Sequence, residues 1–90
     1  ERMKTIRLDI TNIATVKALH IYLAYKLELP AYYGKNLDAL HDLLGETGEP
    51  LCIELAGAAA SDEICAFLPR LERVFQDGIQ ENRFLSYRRV

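Results

Sequence analysis

Two aspartates, Asp38 and Asp42, stand four residues apart in a segment with helical periodicity. That spacing stacks both carboxylates on one helix face, where like charges cost a few tenths of a kcal/mol. Asp38 regains part of this cost because it lies in the first helical turn, near the positive end of the helix dipole. Such a pair is either a solvated helix face, a docking surface for a cationic partner, or a pair of acid–base catalysts.

Aromatic residues and a histidine accompany the pair. Tyr32 and Tyr33 precede the helix, and we assign Tyr33 to the core and Tyr32 to the surface, where an aromatic residue beside charges is typical of an interface. His41 lies between the aspartates and the apolar stripe, and His20 on the preceding helix is expected to be structural. No nucleophile constellation or Gly-rich phosphate loop accompanies the aspartates, so we predict that the protein is not an enzyme.

Length and charge restrict the partner. The 90 residues are half hydrophobic and predict one domain over residues 3–90, with Glu1 and Arg2 interpreted as an expression-vector remnant ahead of Met3. A net charge of −2 with scattered Lys and Arg disfavours direct nucleic-acid binding and favours a cationic partner. No apolar run reaches the roughly 18 residues of a membrane span, and no signal peptide is recognisable. We therefore expect a cytoplasmic protein without a membrane partner.

The two cysteines, Cys52 and Cys65, predict neither a disulfide framework nor a metal centre. Two cysteines without a secretory context are typical of reduced, buried small hydrophobes. They are too few for a zinc site, and no histidine lies near them at ligand spacing. The sequence therefore predicts no metal and no cofactor.

The first half of the chain predicts a strand followed by two helices. Alternating apolar residues indicate a strand over residues 3–10. A helix follows, capped by Thr15 and ending before Pro30, because the residue ahead of a proline avoids helical geometry. Asn36 caps a second helix that ends at Gly45 and Gly48. The apolar stripes of the two helices are Val16, Leu19, Leu23 and Leu27, and Leu37, Leu40 and Leu44.

The second half predicts a buried strand, helices and a last strand. Residues 50–55 are nearly all apolar, as in a central strand covered on both faces. Ser61 begins a helix, and Pro69 then predicts a break followed by a new helix, because proline inside a helix costs about 3 kcal/mol. The core face of that helix is Leu71, Val74, Phe75 and Ile79; Asn82 closes it before a strand over residues 83–87.

This element order predicts an α/β fold. Strands that are separated by helices are unsuited to hairpins, so they should lie parallel and connect by right-handed crossovers. The expected architecture is a small three-stranded parallel sheet packed with three to four helices.

Residues 27–42, LELPAYYGKNLDALHD, are similar to the most diagnostic segment of the barstar family, L-x-L-P-x-Y-Y-G-x-N-L-D-A-L-x-D. The resemblance extends upstream through Leu19 and His20 and downstream through the V-F-x-E-like stretch at residues 74–77. It implies the barstar-like fold. It also implies a function: inhibition, inside the producing cell, of a basic, secreted barnase-like ribonuclease in a 1:1 complex.

In this family the second helix and the loop before it enter the nuclease site, where carboxylates replace RNA phosphates. The resemblance implies that Asp42 is the central anchor, that Asp38 pairs with a nuclease arginine, and that Tyr32 packs on the catalytic histidine. Asp77 replaces the family's glutamate, and His41 replaces its interface tryptophan. An alternative is an immunity-like protein that neutralises a basic toxin of another activity. The predicted partner-binding residues are Tyr32, Gly34, Leu37, Asp38, His41, Asp42, Asp77 and Glu81.

Overall fold

The computed structural model describes residues 3–90; Glu1 and Arg2, which we interpret as a vector remnant, lie outside the described residues. The strands form one parallel sheet in the order β1-β2-β3, which confirms the predicted α/β class and the three-stranded sheet. Three helices rather than four occur between residues 3 and 90. The elements are β1 (Lys4–Asp9), α1 (Val16–Lys26), α2 (Leu37–Gly45), β2 (Leu51–Ala56), α3 (Asp62–Glu81) and β3 (Leu85–Arg89).

The three helices begin at the predicted capping residues. The side chain of Thr15 accepts the amide of Ala18, and that of Asn36 accepts the amide of Ala39. Ser61 does the same for Ile64 at the start of α3. Each cap satisfies an amide that has no partner inside its helix, which typically stabilises the helix by about 1 kcal/mol.

The predicted helix break at Pro69 is wrong, because α3 runs without interruption through Pro69 for 20 residues. Pro69 itself is exposed, while the buried side chains of α3 continue in one stripe on both sides of it. Burying each large apolar side chain is worth about 1.5–3 kcal/mol, so several of them outweigh the cost of one proline. The buried residues are Ile64, Phe67, Leu68, Leu71, Phe75 and Gly78.

The last strand begins two residues later than the sequence predicts, at Leu85. The side chain of Asn82 accepts the amide of Phe84, and its carbonyl accepts the amide of Leu85. These bonds hold residues 82–85 in a turn, so strand pairing starts only after it.

One face of the sheet and the three helices enclose the core. Because both crossovers advance in the same direction along the sheet, they place the helices on the same face. Leu8, Ile53 and Leu55 point into this core and are almost fully buried. The other face carries a row formed by Arg7, Glu54 and Arg88.

Asn82 ties α3 to the end of α2. Its amide nitrogen donates to the carbonyl of Leu44 at 3.0 Å and to that of Thr47 at 2.8 Å. Gly78 lies beside Leu44, where an added Cβ would come within 3.7 Å of a Leu44 methyl and 3.3 Å of a Leu85 methyl. The C-terminal part of α2 is therefore held against α3 by a buried amide and by close packing.

The cysteines lie in the predicted kinds of element but differ in burial. Cys52 on β2 is buried, as expected, whereas Cys65 on α3 is exposed. The expectation of burial is wrong for Cys65 because the apolar stripe of α3 passes through Ile64 and Phe67 and leaves Cys65 outside it. Within residues 3–90, no helix is long and apolar enough to cross a bilayer.

Candidate partner-binding site

Asp38 and Asp42 lie on the exposed side of α2, one helical turn apart. The opposite side buries Leu40 and Leu44, so the core fixes which side of the helix faces outward. Among residues 3–90, neither carboxylate has a Lys, Arg or His within ion-pairing distance. The two charges therefore repel each other, and no cationic side chain of residues 3–90 offsets that repulsion.

Glu46 extends this acidic side by a further turn and was missed by the sequence reasoning. It is exposed and occupies the residue that caps the C-terminus of α2. A negative charge is disfavoured there by the helix dipole, and no basic residue occupies the last turn of α2. The spacing of Asp38, Asp42 and Glu46, four residues at each step, is the signal that could have revealed it. We call these three residues the acidic ridge.

Tyr32 and Asp42 line the same shallow groove, which has a volume of about 250 Å³. Glu46 also lines it, whereas Asp38 does not. Tyr32 is 76% exposed, so its ring stands free beside the ridge. Because Asp38 lies outside this groove, the two aspartates do not share an enclosed site there of the kind that paired acid–base catalysis needs.

Tyr33 anchors the loop that carries Tyr32. Its ring is buried, as predicted, and its hydroxyl lies 2.7 Å from Nδ1 of the buried His20. Burial raises the pKa of Tyr33 to about 12 and lowers the pKa of His20. Both groups are therefore neutral near pH 7, and the predicted structural role of His20 is confirmed.

The turn that leads into α2 is tightly constrained. Lys35 has a φ of +56°, the left-handed conformation that side chains other than glycine rarely adopt. The side-chain amide nitrogen of Asn36, Nδ2, donates back to the backbone carbonyl of Gly34. Gly34 is exposed, and an added Cβ would lie only 3.2 Å from that amide nitrogen. Leu37 is half-buried at the first position of the helix.

The end of α3 supplies the remaining predicted residues. Nε2 of His41 on α2 lies 3.1 Å from Oε1 of Glu81, so the structure brings these two together. Asp77 lies one turn before Glu81 and therefore on the same side of α3. Both acids are exposed, and Asp77 has no ion-pair partner among residues 3–90.

The acids of this surface are spread along two helices rather than gathered around a point. In the part of the chain that the structure describes, no group of three or more His, Cys, Asp or Glu residues is placed to hold a metal ion. What the arrangement can do is present separate negative charges to the surface of a large cationic partner.

Comparison with known proteins shows a similarity to one protein family and to a curated relative. The family model described as "Barstar (barnase inhibitor)" matches residues 3–81. The Bacillus subtilis (strain 168) protein named "Putative ribonuclease inhibitor YrdF" is 43% identical over 54 residues. That alignment covers 59% of this chain and 59% of the length of that relative.

Proposed function

The chain belongs to the barstar family, and we propose that it is a protein inhibitor that blocks the active site of a ribonuclease. It does so with the acidic ridge and the loop before α2. It acts by binding and carries out no chemistry of its own. The observation that carries this proposal is the unpaired, outward-facing set of carboxylates on a helix that is otherwise well capped and packed.

Charge explains why such a ridge suits this target. A ribonuclease must present Arg, Lys or His to bind RNA phosphates, and it cannot lose these groups without losing activity. Carboxylates in the place of phosphates use the same groups. Attraction between opposite charges also speeds the encounter, which matters when the free nuclease is toxic to the cell.

Each residue of the site receives a role. Asp42 enters the phosphate pocket, where a guanidinium can form two parallel bonds with its carboxylate. Tyr32, which lines the same groove, packs on the catalytic histidine of the nuclease. Asp38 pairs with an arginine at the edge of the pocket. Gly34 and Leu37 offer backbone contacts, and Glu46 adds charge to the rim.

His41 on α2 and the acids at the end of α3 bear on which nuclease is bound. His41 stands where the family has an interface tryptophan, and it is already engaged with Glu81. Asp77 has a side chain one methylene shorter than the family's glutamate. The partner is therefore a barnase-like, extracellular-type ribonuclease whose rim differs from that of barnase, bound 1:1 in the cytoplasm of the producing cell.

Inhibition of RNA cleavage tests the proposal. The purified chain is titrated against a panel of small basic ribonucleases, alongside Asp42→Ala and the matched control Asp62→Ala. Asp62 is also exposed, but it lies at the other end of α3, a helix of 20 residues that is about 30 Å long.

The expected result is stoichiometric inhibition of at least one nuclease by the wild type and by Asp62→Ala, and a large loss for Asp42→Ala. Failure to inhibit any nuclease of the panel would contradict the proposal. Capture of a basic toxin without ribonuclease activity, through the same acidic ridge, would replace it with the immunity-like alternative.

A further inference from the structure

A second cavity differs in charge from the acidic ridge. It has a volume of about 410 Å³ and opens where α1, the loop before α2, and α3 meet. Three cationic side chains line it, one from each of these segments: Lys17, Lys35 and Arg70. The sequence does not place them together, because 18 residues separate Lys17 from Lys35 and 35 separate Lys35 from Arg70.

These three cations have no acidic partner in the described part of the chain. No carboxylate of residues 3–90 lies within ion-pairing distance of any of them, and the cavity has no acidic residue in its lining. The guanidinium of Arg70 lies 5.8 Å from the centre of the Phe67 ring, so an aromatic face positions it. Lys17, Lys35 and Arg70 are exposed, so solvent screens their mutual repulsion, but three like charges around one cavity still favour a bound anion.

His20 adds a directed donor to the wall of this cavity. The residue is only 4% exposed, and the hydroxyl of Tyr33 is the hydrogen-bond partner of its Nδ1. The phenol stays protonated, and Nδ1 is the acceptor for its proton among the described residues. We therefore assign the tautomer in which Nδ1 accepts and Nε2 carries the hydrogen of the neutral ring.

His20 lines the cavity, and the question is where its Nε2 lies. Nε2 makes no hydrogen bond within residues 3–90. Every solvent-inaccessible side-chain nitrogen or oxygen in that range does have a hydrogen-bond partner. Nε2 is therefore accessible, and the cavity that His20 lines is where it opens. We infer that a buried ring, held by Tyr33, offers an N–H donor to the cavity that three cations also line.

The start of α2 completes the donor set. Asn36 caps the amide of Ala39 with its side chain and that of Leu40 with its carbonyl. The amides of Leu37 and Asp38 have no acceptor within the helix, and Leu37 lines the cavity. Backbone amides at a helix start bind phosphate well when cations surround them.

We propose that this cavity is an anion site that binds a phosphate dianion, either free or as the terminal group of a small phosphomonoester. Lys17, Lys35 and Arg70 neutralise the charge, while Nε2 of His20 and the first amides of α2 donate to the oxygens. The site shares the start of α2 with the proposed nuclease-binding surface, but its cations lie outside the acidic ridge, and its binding of phosphate does not depend on the proposed inhibition. Apolar side chains in the lining, among them Phe67, leave room for an organic body next to the phosphate.

Binding can be followed by NMR with the full chain at constant ionic strength. Inorganic phosphate, adenosine 5′-monophosphate and adenosine are added in turn, and the signals of the His20 ring and of the Leu37 and Asp38 amides are recorded. The variants are Arg70→Gln and Lys17→Gln. Lys26→Gln is the matched control, because Lys26 lies on the same helix as Lys17 but outside the cavity.

Saturable shifts of these signals by phosphate, about tenfold weaker binding in Arg70→Gln and Lys17→Gln, and unchanged binding in Lys26→Gln would support the site. Tighter binding of the nucleotide than of phosphate would identify a phosphomonoester as the ligand, and equal binding would identify free phosphate. Adenosine alone should not bind.

Three results would overturn the proposal. The first is no saturation at millimolar phosphate, and the second is equal weakening in Lys26→Gln. The third is that Arg70→Gln weakens nuclease inhibition while phosphate leaves the spectrum of the wild type unchanged, since the cations would then belong to the protein interface.

Discussion

Glu54 and the aspartates of the acidic ridge are acidic residues in opposite surroundings. Glu54 lies on the central strand with a side chain only 10% exposed, and it accepts a hydrogen bond from Nε of Arg88 at 2.7 Å. The strand register also places Arg7 on its other side. Asp38 and Asp42 are exposed and have no cation beside them among residues 3–90.

On the proposed function, the difference separates a charge that serves the fold from charges that serve a partner. Because an unpaired buried carboxylate is costly, Glu54 is tolerated only with its arginine. That bond in turn raises the pKa of Arg88. The ridge carboxylates, in contrast, make no ion pair within residues 3–90, so their hydrogen-bonding capacity is left for another molecule. Substitutions in the two regions should therefore change different quantities.

The largest effect is expected for Asp42→Ala on nuclease inhibition. The inhibition constant should rise at least about 30-fold, which corresponds to a loss of about 2 kcal/mol in binding free energy. A loss of this size is typical of an interface hot spot, and the range for hot spots is drawn partly from barstar's own complex. The midpoint of urea unfolding should remain unchanged. A variant that inhibits as well as the wild type would remove Asp42 from the site.

Glu54→Gln should have the reverse profile. The loss of a charged acceptor from a buried hydrogen bond should lower the free energy of unfolding by about 2 kcal/mol, measured by urea denaturation. Asp42→Asn is the matched control, and its free energy of unfolding should equal that of the wild type. Inhibition by the folded Glu54→Gln protein should stay at the wild-type level, and weaker inhibition would show that the open sheet face also takes part in binding.

Acid should lower the free energy of unfolding by a smaller amount, because it protonates the buried ring of His20. Burial lowers the pKa of His20, so the folded state binds its proton less readily than the unfolded chain, whose pKa is near 6.5. The contribution of neutral His20 to stability is complete above pH 6.5 and is lost as the pH falls through the lowered pKa. Tyr33 and Phe67 pack against this ring, and the charged residues that line the same cavity are Lys17, Lys35 and Arg70.

Urea unfolding in phosphate-free buffer between pH 8 and pH 5 measures this loss. The wild type should become less stable towards pH 5, and His20→Gln should show a flatter dependence, although its stability at pH 8 is lower. An equal dependence in both proteins would place the responsible titration elsewhere.

Lys35→Gly tests whether Lys35, whose side chain lines the proposed anion site, is held in a strained backbone conformation. The left-handed conformation at Lys35 costs about 1–2 kcal/mol for any residue with a Cβ, and glycine adopts it freely. The variant should therefore gain up to about 1 kcal/mol in thermal unfolding while losing affinity for phosphate. A less stable variant would show that the Lys35 side chain contributes to the fold.

Local interactions were predictable from the sequence, and those that join distant segments were not. Thr15, Asn36 and Ser61 cap helices through amides three residues away, so the residue types alone indicate the helix starts. The continuity of α3 through Pro69 depends on burial against other elements, which no local rule includes.

The site divides in the same way. The acidic pair on α2 follows from helical spacing, and the same spacing would have included Glu46. The contact between His41 and Glu81 and the meeting of Lys17, Lys35 and Arg70 depend on how α1, α2 and α3 pack. The sequence carries no signal that pairs these residues.

The smallest change in stability is expected for a double variant of the acidic ridge. This variant also gives the most direct test of the central claim, which is that the ridge serves a partner and not the fold. The double variant Asp38→Asn/Asp42→Asn is compared with the wild type in urea unfolding at low salt and in nuclease inhibition. Removing the repulsion should leave stability unchanged or raise it by a few tenths of a kcal/mol, while inhibition is lost. Loss of stability together with full inhibition would contradict the account.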